Sequence, residues 1–140
     1  MKIRLIFCLH LILFTQYGFC AMSEKQMNAT KKLVRNTCVT KTKVSPDVVD
    51  AMHKGDFSQG QCYLSCILNT YKLILPEGTF DWEGGIKAIN ANMPPNIAEP
   101  ACETVKNCKD SMKTKTDKCI GAAEIAKCLY DDNPSNYFLP

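Results

Sequence analysis

The residues of this 140-residue chain best equipped for chemistry are its nine cysteines. Two of them, Cys62 and Cys66 in Cys62-Tyr63-Leu64-Ser65-Cys66, sit four apart inside a long apolar segment. In a helix that spacing stacks both side chains on one face, one turn apart. They do not readily bond to each other across a regular turn, so each must reach a different partner elsewhere. Cys119 and Cys128 are nine apart, and nine steps of about 100° put them on opposite faces of a helix. Whether such thiols form disulfides, hold zinc or attack a substrate depends first on the compartment.

Residues 1–20 read as a secretory signal peptide. Lys2 and Arg4 give the positive start, residues 5–14 are apolar except for His10, and Gly18 and Cys20 are small residues before a cut. That run is too short to cross a bilayer. A second apolar stretch, residues 64–75, is also too short and contains Asn69 and Lys72. The expected organisation is therefore a signal at 1–20 and one domain at 21–140, secreted and extracellular, with no stable membrane insertion. Two of the 17 basic side chains lie in the signal, which leaves the remainder close to neutral against 14 acidic ones. No Lys/Arg cluster of the kind nucleic acids require is present.

Cys8 and Cys20 leave with the signal, and seven cysteines remain: Cys38, Cys62, Cys66, Cys102, Cys108, Cys119 and Cys128. In an oxidising compartment they imply three bridges and one leftover thiol. The competing reading is a thiolate zinc site, but a C-x-x-C pair is absent and the secretory start favours disulfides. Catalytic apparatus is hard to find. His53 is the one histidine beyond the signal and reads as solvent-exposed. Asp131-Asp132-Asn133 lacks the glycine and terminal glutamate of a calcium loop. No cofactor or metal is expected, and a secreted hydrolase with an unrecognised site stays as the weaker alternative. The lysines from Lys106 to Lys118 read as a solvated helix face.

The elements that must position the cysteines are helices. Ser23 and Gln26 form a capping-box pattern for a first helix to about Cys38. The sequon Asn28-Ala29-Thr30 falls inside it and reads as unused. Ser45-Pro46-Asp47 starts a second helix, which Gly55 stops. A third, apolar almost all round, spans about residues 58–75 and reads as the central, buried helix. Asp81 caps a fourth that carries Trp82, Ile86, Ile89 and Met93. A fifth begins between Asn96 and Pro100, with Ala101, Val105, Cys108 and Met112 on one stripe. The last spans about residues 116–130, and Asn133-Pro134 ends it. Tyr137, Phe138 and Leu139 then form a tail too apolar for a free end.

The spacing Cys38-x23-Cys62-x3-Cys66-x41-Cys108-x10-Cys119-x8-Cys128 closely resembles the six-cysteine pattern of the insect pheromone and general odorant-binding proteins. The ending, from Ala126-Lys127-Cys128-Leu129-Tyr130 to Tyr137-Phe138-Leu139-Pro140, is also similar to that family. Cys102 departs from the pattern. Six cysteines allow fifteen pairings; the resemblance implies Cys38–Cys66, Cys62–Cys119 and Cys108–Cys128, with Cys102 free. It further implies an all-α fold, about six helices around an internal apolar cavity. Such a void is affordable in principle. A pocket of about 300 Å³ forgoes some 7 kcal/mol of packing, and three bridges at roughly 3–4 kcal/mol each can offset that.

The function this implies is a secreted carrier that reversibly binds small hydrophobic odorants or pheromones and moves them through aqueous lymph to receptors. A non-olfactory carrier in saliva, venom or reproductive fluid is the alternative. Expected partners are an alcohol, aldehyde, ester or fatty acid and an olfactory receptor, with no nucleic acid, in a monomer or weak dimer. The inward stripes nominate the wall: Met52, Phe57, Leu64, Leu68, Tyr71, Trp82, Ile86, Ile89, Met93, Val105 and Met112. The tail is expected to fold back and add Tyr137, Phe138 and Leu139, with Phe138 nearest the ligand. Tyr71 and Thr70 are the candidate hydroxyl donors.

Overall fold

Most helix boundaries follow from short-range hydrogen bonding. In the computed structural model, which describes residues 21–140, helix α1 (Glu24–Thr42) opens on the expected capping box. Ser23 Oγ accepts from the Gln26 N–H at 3.3 Å, and Gln26 Oε1 accepts from the Ser23 N–H at 2.9 Å. The expected signal, residues 1–20, lies outside the described residues. Helix α1 continues a turn beyond Cys38 and closes on Lys43 in the left-handed conformation. Helix α2 (Pro46–Met52) starts at Ser45, whose hydroxyl accepts from the Val48 N–H, with Pro46 in the first turn.

Helix α3 (Gln61–Thr70) is shorter at both ends than the apolar run suggests. Gly60 precedes it at φ +68°, a conformation that delays the start. Lys72 turns the chain away at φ +57°. Ile74 and Phe80 then make an isolated antiparallel bridge, so residues 73–75 are extended rather than helical. Helix α4 (Trp82–Asn92) is capped by Asp81, which accepts from the Gly84 N–H at 3.0 Å. Helix α5 (Pro95–Asn107) starts directly after Pro94 and tolerates Pro100 inside it. It ends at Asn107, so Met112 belongs to the following loop and not to an α5 stripe.

That loop is held by Glu124 of helix α6 (Lys118–Asp132). One carboxylate oxygen accepts from the N–H groups of Lys113 and Thr114 at 2.6 and 2.8 Å, and the other from the Thr114 hydroxyl at 2.8 Å. Burial would raise the Glu124 carboxyl, but these bonds outweigh it and hold it below its ordinary value. A short 3-10 turn (Pro134–Asn136) follows α6.

Among the described residues the fold is therefore all-α, with six helices and three disulfides. Helices α3 and α6 form the central pair, α1 lies on α3, and α4 and α5 pack together as a second pair. Small residues on α6, Ala122, Ala123 and Ala126, are buried where α6 packs on α3, and Gly121 is buried against the loop at Met112 and Thr114. Cys62 and Cys119 have Cα atoms 4.4 Å apart. The other bridges join Cys38 of α1 to Cys66 of α3, and Cys108 after α5 to Cys128 of α6. These are the pairs the resemblance implies. Cys62 and Cys66 reach separate partners, and α6 is tied on two sides. Among the described residues no helix is long and apolar enough to cross a membrane.

Candidate functional site

An apolar cavity of about 370 Å³ lies between α4, the start of α1 and the tail, over residues of α3, α5 and α6. Its floor is apolar and deeply buried. Leu68 of α3, Val105 of α5, Leu129 of α6 and Leu139 of the tail are each at most 3 % exposed. Met27 of α1, Ile89 and Gly85 of α4 and Phe80 of the bridge complete it, with Leu73, Met93 and Phe138 partly exposed around them. Toward solvent the wall changes character. Met22, Thr30 and Lys31 on the α1 side face Ala88 and Asn92 at the end of α4, and the Met22 N–H donates to the Asn92 carbonyl at 2.9 Å. The cavity thus has an apolar inner end and a polar mouth between α1 and α4.

Of the residues nominated from sequence, Leu68, Tyr71, Ile89, Met93, Val105, Phe138 and Leu139 line this cavity. Seven lie elsewhere. Met52 ends α2, which contributes nothing to the wall, and Phe57 follows it; Met52 packs over Gly60, and Phe57 against Tyr130 and Tyr137. Leu64 is 1 % exposed and belongs to the solid core rather than the wall. Trp82 and Ile86 lie seven and three residues before Ile89, on the same face of α4, but do not line the cavity and pack partly exposed against the core. Met112 sits over Gly121 at the opposite side. Tyr137 turns away from its neighbour Phe138 into an edge-on aromatic cluster with His53, Phe57 and Tyr130, ring centroids 5.6–6.2 Å apart.

The tail is docked. Tyr63, 1 % exposed, donates its hydroxyl proton to the Pro140 carbonyl at 2.8 Å across 77 residues of sequence. Burial pushes the Tyr63 phenol up to about 12, an effect Arg35 opposes and Tyr71 reinforces. Burial also raises Tyr137 and Tyr71, so both remain neutral hydroxyls. His53 is exposed by area, yet burial of its surroundings holds it below its ordinary value; Arg35 and Lys31 act in the same direction, and Asp50 opposes them.

Missed from sequence are Met22, Met27, Thr30, Lys31, Leu73, Phe80, Gly85, Ala88, Asn92 and Leu129. For α1 a signal existed: Lys31 lies four residues after Met27, hence on the same face. Of the two candidate donors, Thr70 is bonded to the Cys66 carbonyl at 2.8 Å and does not line the cavity. Tyr71 does line it. Cys102 is outside the cavity, half-buried, unbridged and near the Ile86 carbonyl and Asn90 Oδ1 at 3.8 and 3.5 Å; burial pushes its thiol up. Among the described residues no cluster of His, Cys, Asp or Glu could hold a metal ion.

Comparison with known proteins agrees with this architecture. General odorant-binding protein 72 of Anopheles gambiae is 27 % identical over 121 residues, covering 84 % of this chain and 99 % of that protein. The crystal structure of odorant binding protein 4 from Chrysopa pallens matches with a TM-score of 0.77 at 36 % identity, covering 85 % of this chain and 99 % of that one. Apis mellifera odorant binding protein 5 gives a TM-score of 0.78 at 29 % identity, covering 86 % of this chain and all of the other. The model of the PBP/GOBP family matches residues 20–132. With six helices, three bridges and an apolar cavity joined to that match, the chain belongs to the PBP/GOBP family.

Proposed function

We propose that the protein is a secreted carrier that takes small hydrophobic odorants or pheromones into this cavity and moves them through aqueous lymph to receptors. The observation that carries the reading is the cavity itself. It is about 370 Å³ and lined mostly by apolar side chains from α1, α3, α4, α5, α6 and the tail. That size suits a small molecule. A ligand of about a dozen heavy atoms at roughly −0.5 to −0.7 kcal/mol per atom binds with about −6 to −8 kcal/mol, near micromolar. Binding transfers apolar surface out of water with no covalent change, and release is the reverse.

The test is fluorescence titration of the purified, oxidised protein with the neutral probe N-phenyl-1-naphthylamine, followed by displacement with ten-carbon compounds. Micromolar uptake and displacement support a carrier. Folded, delipidated protein that takes up neither probe nor competitor contradicts it.

A further inference from the structure

The mouth of the cavity is chemically one-sided. Lys31 is its one charged lining residue, and no Asp or Glu lines the cavity. Among the described residues the Lys31 ammonium has neither an ion pair nor a hydrogen-bond partner; the two salt bridges are Arg35–Asp50 at 3.0 Å and Lys127–Asp131 at 2.7 Å. Asp50 is thus engaged by Arg35, one turn along α1 from Lys31. Tyr71 also lines the cavity, and among the described residues its hydroxyl likewise has no hydrogen-bond partner. The other polar groups at the mouth already have one: Thr30 donates to the Gln26 carbonyl at 3.0 Å and Asn92 Nδ2 to the Ala88 carbonyl at 2.7 Å. What faces an entering molecule is an unpaired cation and an unused O–H donor above a deep apolar floor.

Resting on the carrier reading, we propose that the cavity selects amphiphiles whose alkyl chain ends in a carboxylate, with the head at Lys31 and Tyr71 and the chain toward Leu68, Val105 and Leu139. A carboxylate brings two acceptor oxygens to these two lining donors, and its bond to an ammonium is charge-assisted. An ester, aldehyde or alcohol accepts only without charge, and the alcohol's own proton can be taken by the Tyr71 oxygen but not by the ammonium. Lys31 is only partly buried. The head therefore keeps part of its hydration, and the pair escapes most of the desolvation penalty of a fully buried ion pair. Burial among the apolar walls already lowers the Lys31 ammonium below its ordinary value, a destabilisation that an incoming anion relieves.

The experiment is probe displacement at pH 7.5 by decanoic acid, decan-1-ol and methyl decanoate, on the wild-type protein, Lys31→Met and Lys31→Arg. Methionine keeps the length of the side chain and suits a helix. The wild type should bind the acid about tenfold more tightly than the alcohol. Lys31→Met should lose that tenfold while the alcohol changes less than about twofold, and Lys31→Arg should retain the preference. Displacement by all three compounds with no acid preference, or a preference that survives Lys31→Met, overturns the headgroup assignment and leaves the carrier reading standing. No displacement by any of them overturns the carrier reading and this inference together. Circular dichroism on each variant separates loss of the head contact from loss of the fold. Should Lys31→Met not fold, Lys31→Gln supplies the same neutral comparison.

Discussion

The two sides of this molecule are built on opposite principles. On one, α3 and α6 are held to each other and to their neighbours by all three disulfides. Alanines are buried where they pack, and Cys38, Ile67, Ala122, Ile125 and Ala126 are completely buried. On the other, α4 carries no half-cystine, the first turns of α1 precede Cys38, and the tail follows Cys128. That side is walled by methionine, phenylalanine and leucine around a void. The difference suggests a division of labour. Covalent cross-links supply stability where packing is dense, so the other side can remain underfilled and adaptable.

The largest expected effect comes from removing the central staple. Replacing Cys62 and Cys119 together by serine opens a bridge spanning 57 residues. In the loop-entropy model this costs about 4 kcal/mol, measurable by urea denaturation. If stability fell by less than about 1 kcal/mol, the claim that cross-links compensate for the void would fail.

A matched pair of glycines sharpens the contrast. A Cβ at Gly121 of α6 would lie 2.5 Å from the Thr114 carbonyl oxygen and 2.5 Å from the Met112 side chain, so Gly121→Ala should cost about 1–3 kcal/mol. At Gly85 of α4 the nearest atoms are Leu73 Cδ2 at 3.3 Å and Val105 Cγ1 at 3.7 Å. Both are side-chain ends beside the void, which can give way. Gly85→Ala should therefore be neutral or stabilise by up to about 1 kcal/mol, because alanine suits a helix better. It should also narrow the cavity. Equal thermal shifts in the two variants would erase the distinction between the sides.

The tail offers a smaller effect with a pH signature. Tyr63→Phe removes the bond to Pro140 and should cost about 1 kcal/mol at neutral pH. The phenol titrates near 10.0 in the unfolded chain and near 12 in the fold. Its stabilising contribution is thus complete below pH 10 and is lost as pH rises through about 12. Alkaline unfolding in Tyr63→Phe should accordingly be less steep over that window. Deleting residues 135–140 should leave helicity intact yet speed probe dissociation, because Phe138 and Leu139 leave the wall. An unchanged dissociation rate would place the tail outside the binding function.

Much of the scaffold was legible because its signals are local. Ser23 with Gln26, Ser45 with Pro46, and Asp81 each set a helix start through bonds within one turn. The cysteine spacing gave the class of fold. What failed was the apolar run from Leu64 to Leu75, where hydrophobicity alone does not tell a buried helix from the extended bridge at Ile74. The same ambiguity placed Met112 on a helix that stops at Asn107. The cavity was half legible for a related reason. An inward stripe shows that a residue is buried, as Met52 and Leu64 are, and carries no information on whether it meets another side chain or a void. Leu73 and Phe80 reach the wall from a connection with no periodicity to read.

The central claim, that the side walled by α4, the start of α1 and the tail holds the ligand, is tested most directly by intermolecular nuclear Overhauser contacts from decan-1-ol to methyl-labelled protein. Contacts are expected to Leu68, Ile89, Val105, Leu129 and Leu139, and none to Val49 or Met52 of α2. Contacts confined to Val49, Met52 and their neighbours would contradict it.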